Sequence, residues 1–389
     1  MSLPRLLRTY STFAPAKPLR IVPGLQTIEA YYQAIEDFEA HQYSESVGHL
    51  HRVLKALEAK QGGDHVSYAV AGTLLAKAQA SQSLNPQAES TLATIVHRLS
   101  TVVDSHQELY TNACLNLLIH CVHANVHEAI RFGKKMQTPD LWRTLPVHAR
   151  ADWHFLVGVR CMQTAETLLG EDFIGAKKSF EIAQLEDSKE LAPYLLNNLA
   201  CAQWWHYMKF WPIKPKSAEK KQAFSDFDNC IPTLKKAISL FEGSAEPYEL
   251  AHSLPTNKLC GVSLSNIAEI MVADGREDGL NWWKRTLEYY KAHDKKQLGR
   301  ILVHLAGMFK YENKKKAEEL ILEAKKVLGK REDVVMAFAH EVHLKIMGTD
   351  PKREEESKAL MQSLGNINAK VVPWAWPAAH MYIPEWHLI

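Results

Sequence analysis

The chain has 389 residues, of which 46% are hydrophobic and 23% are charged, proportions that are ordinary for a folded protein with a large core. Its 46 lysines and arginines nearly balance its 44 aspartates and glutamates, so the net charge of +2 does not call for a nucleic acid as partner. Apolar runs such as residues 194–202 are much shorter than the ~20 residues of a membrane span. We therefore expect no transmembrane segment, although peripheral contact with a membrane stays open.

The amino terminus has the composition of a mitochondrial targeting segment. Residues 1–28 contain four basic and no acidic residues, and Leu3, Leu6 and Leu7 would share one face of a helix. The string at residues 8–11 also resembles the site that the mitochondrial processing peptidase cuts. We assign residues 1–23 to a targeting segment and linker, which predicts a protein of the matrix or of the matrix side of the inner membrane. The alternative is a basic arm on a cytosolic protein.

Beyond this linker, helical patterns follow one another in pairs as far as residue 366. Proline, glycine and asparagine mark the turns between them. The pattern predicts helices at 27–40 and 43–59, 65–83 and 86–104, 105–123 and 126–137, 147–168 and 171–186, 188–209 and 223–242, two hairpins within 257–292 and 296–328, and a last pair at 331–347 and 352–364. One helical hairpin cannot bury its own apolar stripe, so successive hairpins must stack. We expect an all-α helical-repeat domain at residues 24–366.

An insertion interrupts the repeats at residues 208–223. This stretch is rich in proline and lysine, which favours a solvated projection. Its base is aromatic, with Trp204, Trp205, Phe210 and Trp211, and we expect these rings to pack on the repeats.

The hairpins within residues 264–328 repeat one arrangement of small and large residues. Ala268 and Gly279 in the first hairpin, and Ala306 and Ala317 in the second, stand where two helices must approach closely. The positions that carry the pattern in the first hairpin are Leu264, Ala268, Gly275, Gly279, Trp283 and Thr286. This pattern resembles the tetratricopeptide repeat. The resemblance implies a right-handed superhelical solenoid of antiparallel hairpins that binds peptides or serves as a scaffold.

The same resemblance suggests partner-binding positions on the first helices of successive repeats. Some tetratricopeptide proteins hold the terminal carboxylate of a chaperone there with asparagine and basic residues. Asn266 stands at the asparagine position and Arg300 at a cationic position, but His304 replaces an arginine, while Asn197 and Cys201 replace a lysine and an asparagine. One cation cannot replace several in gripping a carboxylate. We therefore expect Asn266, Arg300 and His304 to contact some other partner on the concave face.

The carboxyl-terminal tail, residues 367–389, combines prolines with large apolar residues. Pro373, Pro377 and Pro384 exclude a continuous helix, so the tail should run extended. A strip with this many apolar side chains must be covered. We expect residues 374–376 to pack on the chain's own repeats, and Tyr382 and Trp386 to contact a partner, because interfaces concentrate tyrosine and tryptophan.

Motifs for catalysis and for metal or cofactor binding are weak. His120, Cys121, His123 and His127 form the densest group of metal-ligating residue types, but Asn125 is expected to interrupt the helix between the last two histidines. The six cysteines contain no paired spacing, which favours buried free thiols. No nucleotide-binding or nucleophile motif is present. We expect no enzyme activity, no metal and no cofactor.

These observations favour a non-catalytic scaffold or protein-interaction protein of mitochondria. It would be an accessory subunit or assembly factor of a larger complex, such as the respiratory chain, ATP synthase or ribosome, with other protein subunits as its partners. The alternative is an organellar RNA-binding helical-repeat protein, for which the lysines around Lys314, Lys315 and Lys316 would supply a basic surface. Most such lysine runs are solvated faces, and nucleic acid is not the expected partner.

Overall fold

Helices form nearly all of the described part of this computed structural model. The structure describes residues 10–13, 22–26, 28–40, 42–59, 64–82, 84–123, 147–164, 171–186, 191–210, 218–249, 253–274, 276, 278–293, 295–309, 313–329, 339–340, 342–344, 346, 348, 351–352, 354–355 and 381–384. The chain divides into two compact units. The amino-terminal unit comprises Thr12–Gln163, Ile182–Ser188 and Ile383–Ile389, and the carboxyl-terminal unit comprises Met1–Ser11, Thr164–Glu181 and Lys189–Tyr382. The predicted continuity of one repeat domain through both units stays a prediction.

In the amino-terminal unit, the first four helices each pack against the next one along the chain. The helices of this unit are α1 (Glu29–Glu39), α2 (Tyr43–Glu58), α3 (His65–Ser81), α4 (Asn85–Ser100), α5 (Gln107–His123) and α6 (Val147–Thr164), with short 3₁₀ helices at Pro23–Leu25 and Val103–Ser105. Helix α3 is buried on nearly every side because α2, α4 and α5 all contact it. The Asp64 carboxylate caps α3 by accepting a hydrogen bond from the Ser67 backbone N–H at 2.9 Å.

The carboxyl-terminal unit is built from three extensive helix pairs. It includes helix α7 (Glu171–Glu186) as far as Glu181. Its other helices are α8 (Ala192–Phe210), α9 (Ala218–Phe241), α10 (Gly261–Ala273), α11 (Gly279–His293), α12 (Lys295–Phe309) and α13 (Lys314–Leu328). Helix α8 pairs with α9, α10 with α11, and α12 with α13, while α9 contacts α10 and α11 contacts α12. This confirms the prediction of an all-helical fold in which adjacent helices pack in pairs.

Small residues permit the close approach of paired helices, as the sequence predicts. A Cβ atom added to Gly279 would lie 2.6 Å from Val272 Cγ2 and 2.9 Å from the Val272 backbone nitrogen. Both distances are shorter than van der Waals contact, so only glycine fits where α11 begins against α10. Ala268, Ala306 and Ala317 are likewise fully buried.

The insertion is shorter than the sequence predicts. Helix α9 begins at Ala218, whereas the predicted second helix begins at residue 223, so the end of the predicted insertion is helical. The run from Ala218 to Gln222 has no proline, and its alanine, glutamate and lysines are good helix formers, so the helix extends further than the lysine-rich composition suggests. The prediction that the aromatic base packs inside is confirmed for Trp204 and Trp205, which are both buried. Trp211 lies outside the described residues.

Two short strands complete the described part of the chain. Strand β1 (Tyr10–Phe13) pairs with strand β2 (Met381–Pro384) in a two-stranded sheet. Strand β2 confirms the predicted extended conformation for its four residues of the tail. The predicted helix at 126–137, residues 374–376 and Trp386 lie outside the described residues. None of the described helices is both long and apolar enough to cross a bilayer.

Candidate functional site

The carboxyl-terminal unit encloses the side chain of Tyr382. This ring is 0% exposed, although it belongs to a four-residue strand far along the chain from the helices around it. The Tyr194 ring on α8 meets it edge to face at 5.1 Å between centroids, and the Phe241 ring at the end of α9 lies at 5.7 Å. We name the surrounding site the Tyr382 pocket, defined by Tyr194, Asn198, Phe241, Leu259, Cys260 and Ser263.

One buried side chain holds the backbone of this residue. The Asn198 amide Nδ2 donates to the Tyr382 carbonyl oxygen at 2.8 Å, and the Tyr382 N–H donates to Asn198 Oδ1 at 2.9 Å. Both backbone groups of Tyr382 are therefore satisfied by Asn198, as a neighbouring β-strand would satisfy them. Because the Asn198 side chain bonds only the main chain of Tyr382, it recognises an extended conformation and not a particular side chain.

The tyrosine hydroxyl provides the contact that depends on the side chain. It donates a hydrogen bond to the Leu259 carbonyl oxygen and is within hydrogen-bonding reach of Ser263. Burial, together with the nearby Tyr290 and Cys260, raises the pKa of Tyr382 well above its usual value of 10.0. The phenol therefore stays protonated and can donate its hydrogen bond to the Leu259 carbonyl oxygen.

A network of buried polar side chains orients Asn198. Asn197 Nδ2 donates to Asn198 Oδ1 at 3.2 Å, and Asn197 Oδ1 accepts from Ser263 Oγ at 2.9 Å and from Asn266 Nδ2 at 3.0 Å. Asn266 also lies 3.4 Å from the Cys201 sulfur. With 0% of its surface exposed, Asn266 supports the Tyr382 pocket from within the unit, and its expected contact with a partner stays a prediction.

Arg300 and His304 also make contacts inside the carboxyl-terminal unit. Each is 7% exposed. Arg300 donates to the Tyr290 hydroxyl at 3.4 Å, and His304 Nδ1 lies 3.7 Å from Glu269 Oε1, with its ring stacked at 6.2 Å from the Trp283 ring. Of the predicted site residues, the structure brings Asn266 and Tyr382 into one network and places Arg300 beside it, next to Tyr290. His304 instead lies against Glu269 and Trp283.

Tyr382 is buried within its own unit, and its expected contact with a partner stays a prediction. That expectation followed from the enrichment of tyrosine and tryptophan at interfaces, whereas the apolar character of the tail requires only some covering surface. The pocket formed by α8, α9 and α10 supplies that cover.

Glu242 fixes the loop that forms one wall of the pocket. Its carboxylate accepts hydrogen bonds from the Asn257 N–H at 2.7 Å, the Thr256 N–H at 3.0 Å and the Thr256 hydroxyl at 3.0 Å. Burial would by itself raise the pKa of Glu242, but these donors outweigh it and hold the pKa below the usual 4.5. Since residues 256–257 closely precede Leu259 and Cys260, this carboxylate positions the carbonyl that receives the Tyr382 hydroxyl.

A second buried polar cluster joins three helices of the same unit. Asp226 on α9 lies 2.6 Å from the Lys177 ammonium on α7 and 2.9 Å from His206 Nδ1 on α8. These contacts neutralise a carboxylate that is almost fully buried. The cluster contains one carboxylate and one imidazole, and among the described residues no group of three or more histidine, cysteine, aspartate or glutamate side chains could hold a metal ion.

Neither His120 nor the lysines of α13 form a described site for a ligand. His120 is buried in the amino-terminal unit, where Nε2 lies 3.0 Å from the Asn85 carbonyl oxygen, and burial lowers its pKa below 6.5. Lys314, Lys315 and Lys316 are exposed on α13, and Lys316 lies 3.4 Å from Glu319 of the same helix. The exposed lysines thus share their helix with carboxylates, which is typical of a solvated face.

Sequence reasoning missed Asn198, Leu259 and Glu242 as members of the site. For Asn198 a signal exists, because Asn197 and Asn198 are adjacent polar residues within the apolar run of α8. Buried asparagines need hydrogen-bond partners, so such a pair marks a polar contact across a helix interface. No comparable signal exists for Leu259, which contributes only its carbonyl oxygen.

No protein-family model matches the chain, and no curated protein matches it.

Proposed function

We propose that this chain is a tetratricopeptide-type helical-repeat protein of mitochondria, with a right-handed superhelical arrangement, that acts without catalysis as a protein-interaction scaffold. It is an accessory subunit or assembly factor of a larger complex in the matrix or on the matrix side of the inner membrane. Its partners are other protein subunits, and it needs no cofactor.

The observation that carries this proposal is the way in which the carboxyl-terminal unit holds an extended segment. Helices α8, α9 and α10 surround one aromatic side chain, and Asn198 bonds the main chain of the same residue through both polar groups. Interaction domains hold peptides through the same combination of backbone hydrogen bonds and a pocket for one side chain. This arrangement supports a binding role for the helical pairs.

The proposed mitochondrial localisation rests on the targeting segment and linker of residues 1–23, which contain basic but no acidic residues. Import into isolated mitochondria, followed by amino-terminal sequencing, tests it. We expect import and cleavage near Ser11 for the natural chain, and loss of import when Arg5 and Arg8 are changed to glutamate. A protein that stays outside mitochondria with an intact amino terminus would contradict the proposed localisation.

The scaffold role is tested by native gel migration of the endogenous protein, with mass spectrometry of the co-migrating band. We expect migration as part of an assembly much larger than 44.1 kDa, together with a constant set of protein subunits. A free monomer that crosslinks to RNA would instead support the RNA-binding alternative.

A further inference from the structure

We propose that the Tyr382 pocket is a binding site for an extended peptide segment that carries a tyrosine, and that residues 381–384 occupy it as an internal ligand until a partner's segment replaces them. This inference rests on the proposed interaction function and names the class of partner: a protein with an exposed, extended segment centred on tyrosine.

The contacts of Tyr382 divide into the two parts that define peptide recognition. Asn198 bonds the backbone N–H and carbonyl at 2.9 and 2.8 Å, so it accepts any residue in an extended conformation. The rings of Tyr194 and Phe241 then select an aromatic side chain at that position. The Leu259 carbonyl oxygen adds a preference for a hydroxyl group, since it accepts a hydrogen bond from the tyrosine hydroxyl.

The pocket is arranged for its ligand by contacts that do not involve the ligand. Asn197 orients Asn198 and is itself held by Ser263 and Asn266, and Glu242 holds the loop that carries Leu259. A site whose polar groups are already oriented loses little conformational entropy on binding. The residues that define the pocket are all neutral, so the central residue of a matching segment is neutral as well.

The internal ligand is distant from the pocket in sequence. Tyr382 and Asn198 are 184 positions apart, so the chain brings the strand to the pocket as a tethered segment. Tethering gives an effective concentration on the order of millimolar. A partner's segment must compete with this occupant, which makes the site weak toward free peptides in the intact chain and strong when the tail is absent or held elsewhere.

The experiment uses a fluorescein-labelled peptide with the sequence of residues 378–389, AAHMYIPEWHLI. Its binding is measured by fluorescence anisotropy with the purified full chain and with a chain that lacks residues 381–389. We expect the shortened chain to bind the peptide on the order of 100-fold more tightly than the full chain, because the internal competitor is gone. The peptide should also raise the Tm of the shortened chain toward that of the full chain.

Matched variants test the two parts of the recognition separately. A peptide with phenylalanine at the position of Tyr382 should bind about tenfold more weakly, because the Leu259 oxygen loses its donor. A peptide with alanine there should not bind measurably. Asn198→Ala in the shortened chain should abolish binding of the natural peptide.

The full chain with Tyr382→Ala covers the case in which the shortened chain does not fold. This variant retains the tail but lacks the buried ring, so it should bind the labelled peptide more tightly than the natural chain does. Failure of a folded shortened chain to bind the peptide would overturn the proposal. Unfolding of both variants would also overturn it, since residues 381–384 would then be an integral part of the core. Neither result affects migration of the natural chain in a native complex, so the two proposals fail separately.

Discussion

Glu242 shows how one carboxylate positions the wall of the Tyr382 pocket. It accepts hydrogen bonds from Thr256 and Asn257, and the donors hold its pKa below 4.5 in the folded chain. A lowered pKa means that the folded state favours the ionised form. The resulting stabilisation is fully present above the ordinary pKa of 4.5 and is lost as the pH falls through the lower, folded pKa.

We expect Glu242→Gln to lower the free energy of unfolding at pH 7 by about 1–3 kcal/mol, because a charged acceptor is lost. The difference from the natural chain should shrink as the pH falls below 4.5, where the natural carboxylate becomes protonated. Urea denaturation at a series of pH values measures this. The control is Glu246→Gln, since the Glu246 side chain is exposed. Equal effects of the two substitutions would show that the hydrogen bonds of Glu242 do not stabilise the loop.

Among the helices, paired elements approach as closely as their small residues permit. Gly279, at the start of α11, has no room for a Cβ atom because the backbone of α10 lies against it. Gly48 in α2 is the opposite case, since an added Cβ there would meet nothing within 4 Å. The space for a side chain therefore differs between the two positions: Gly279 has none, and Gly48 has enough for a methyl group.

Alanine substitution should have opposite effects at these two positions. Gly279→Ala should destabilise the chain by about 1–3 kcal/mol, because α10 and α11 must separate to admit the methyl group. Gly48→Ala should stabilise it by up to about 1 kcal/mol, because alanine favours the helix more than glycine does. Thermal unfolding followed by circular dichroism compares both with the natural chain. Stabilisation by Gly279→Ala would mean that α10 and α11 are further apart than the structure shows.

For the molecule as a whole, the tail contributes to the stability of the carboxyl-terminal unit. Tyr382 buries an aromatic side chain and satisfies the amide of Asn198, a buried group that would otherwise lose two partners. Deleting residues 382–389 would expose the pocket to water. Tyr382 thus acts as part of the packed interior of this unit.

We expect a chain without residues 382–389 to lose about 3 kcal/mol of unfolding free energy, from the burial of one aromatic ring and its hydrogen bonds. The matched control lacks only residues 385–389, which leaves strand β2 in place and should unfold almost as the natural chain does. Differential scanning calorimetry measures both. If the longer deletion left the Tm unchanged, the Tyr382 contacts would contribute nothing to stability.

The helical architecture could be predicted because its determinants are local. Apolar spacing and the turn residues between helices lie within a few positions of each other, so α1 and α2 begin and end within two residues of their predicted bounds. Other bounds were predicted less well: α9 begins at Ala218 and not at 223, since the lysine-rich composition there resembles a solvated loop, and α8 begins at Ala192 and not at 188. The burial of Gly279 and Ala317 was also predictable, because a small residue at the same position of successive hairpins indicates a close approach of two helices.

Local patterns in the chain were enough to predict the helical class, the pairing of the helices and the extended conformation of residues 381–384. They also showed that the tail needs a cover, because prolines exclude a helix and apolar side chains exclude an exposed surface. The identity of that cover, Asn198 and Leu259 around Tyr382, came from the folded structure alone. The reason is physical: a hydrogen bond between residues 184 positions apart has no periodic or local pattern, and an apolar ring fits a pocket of its own chain as well as one on a partner.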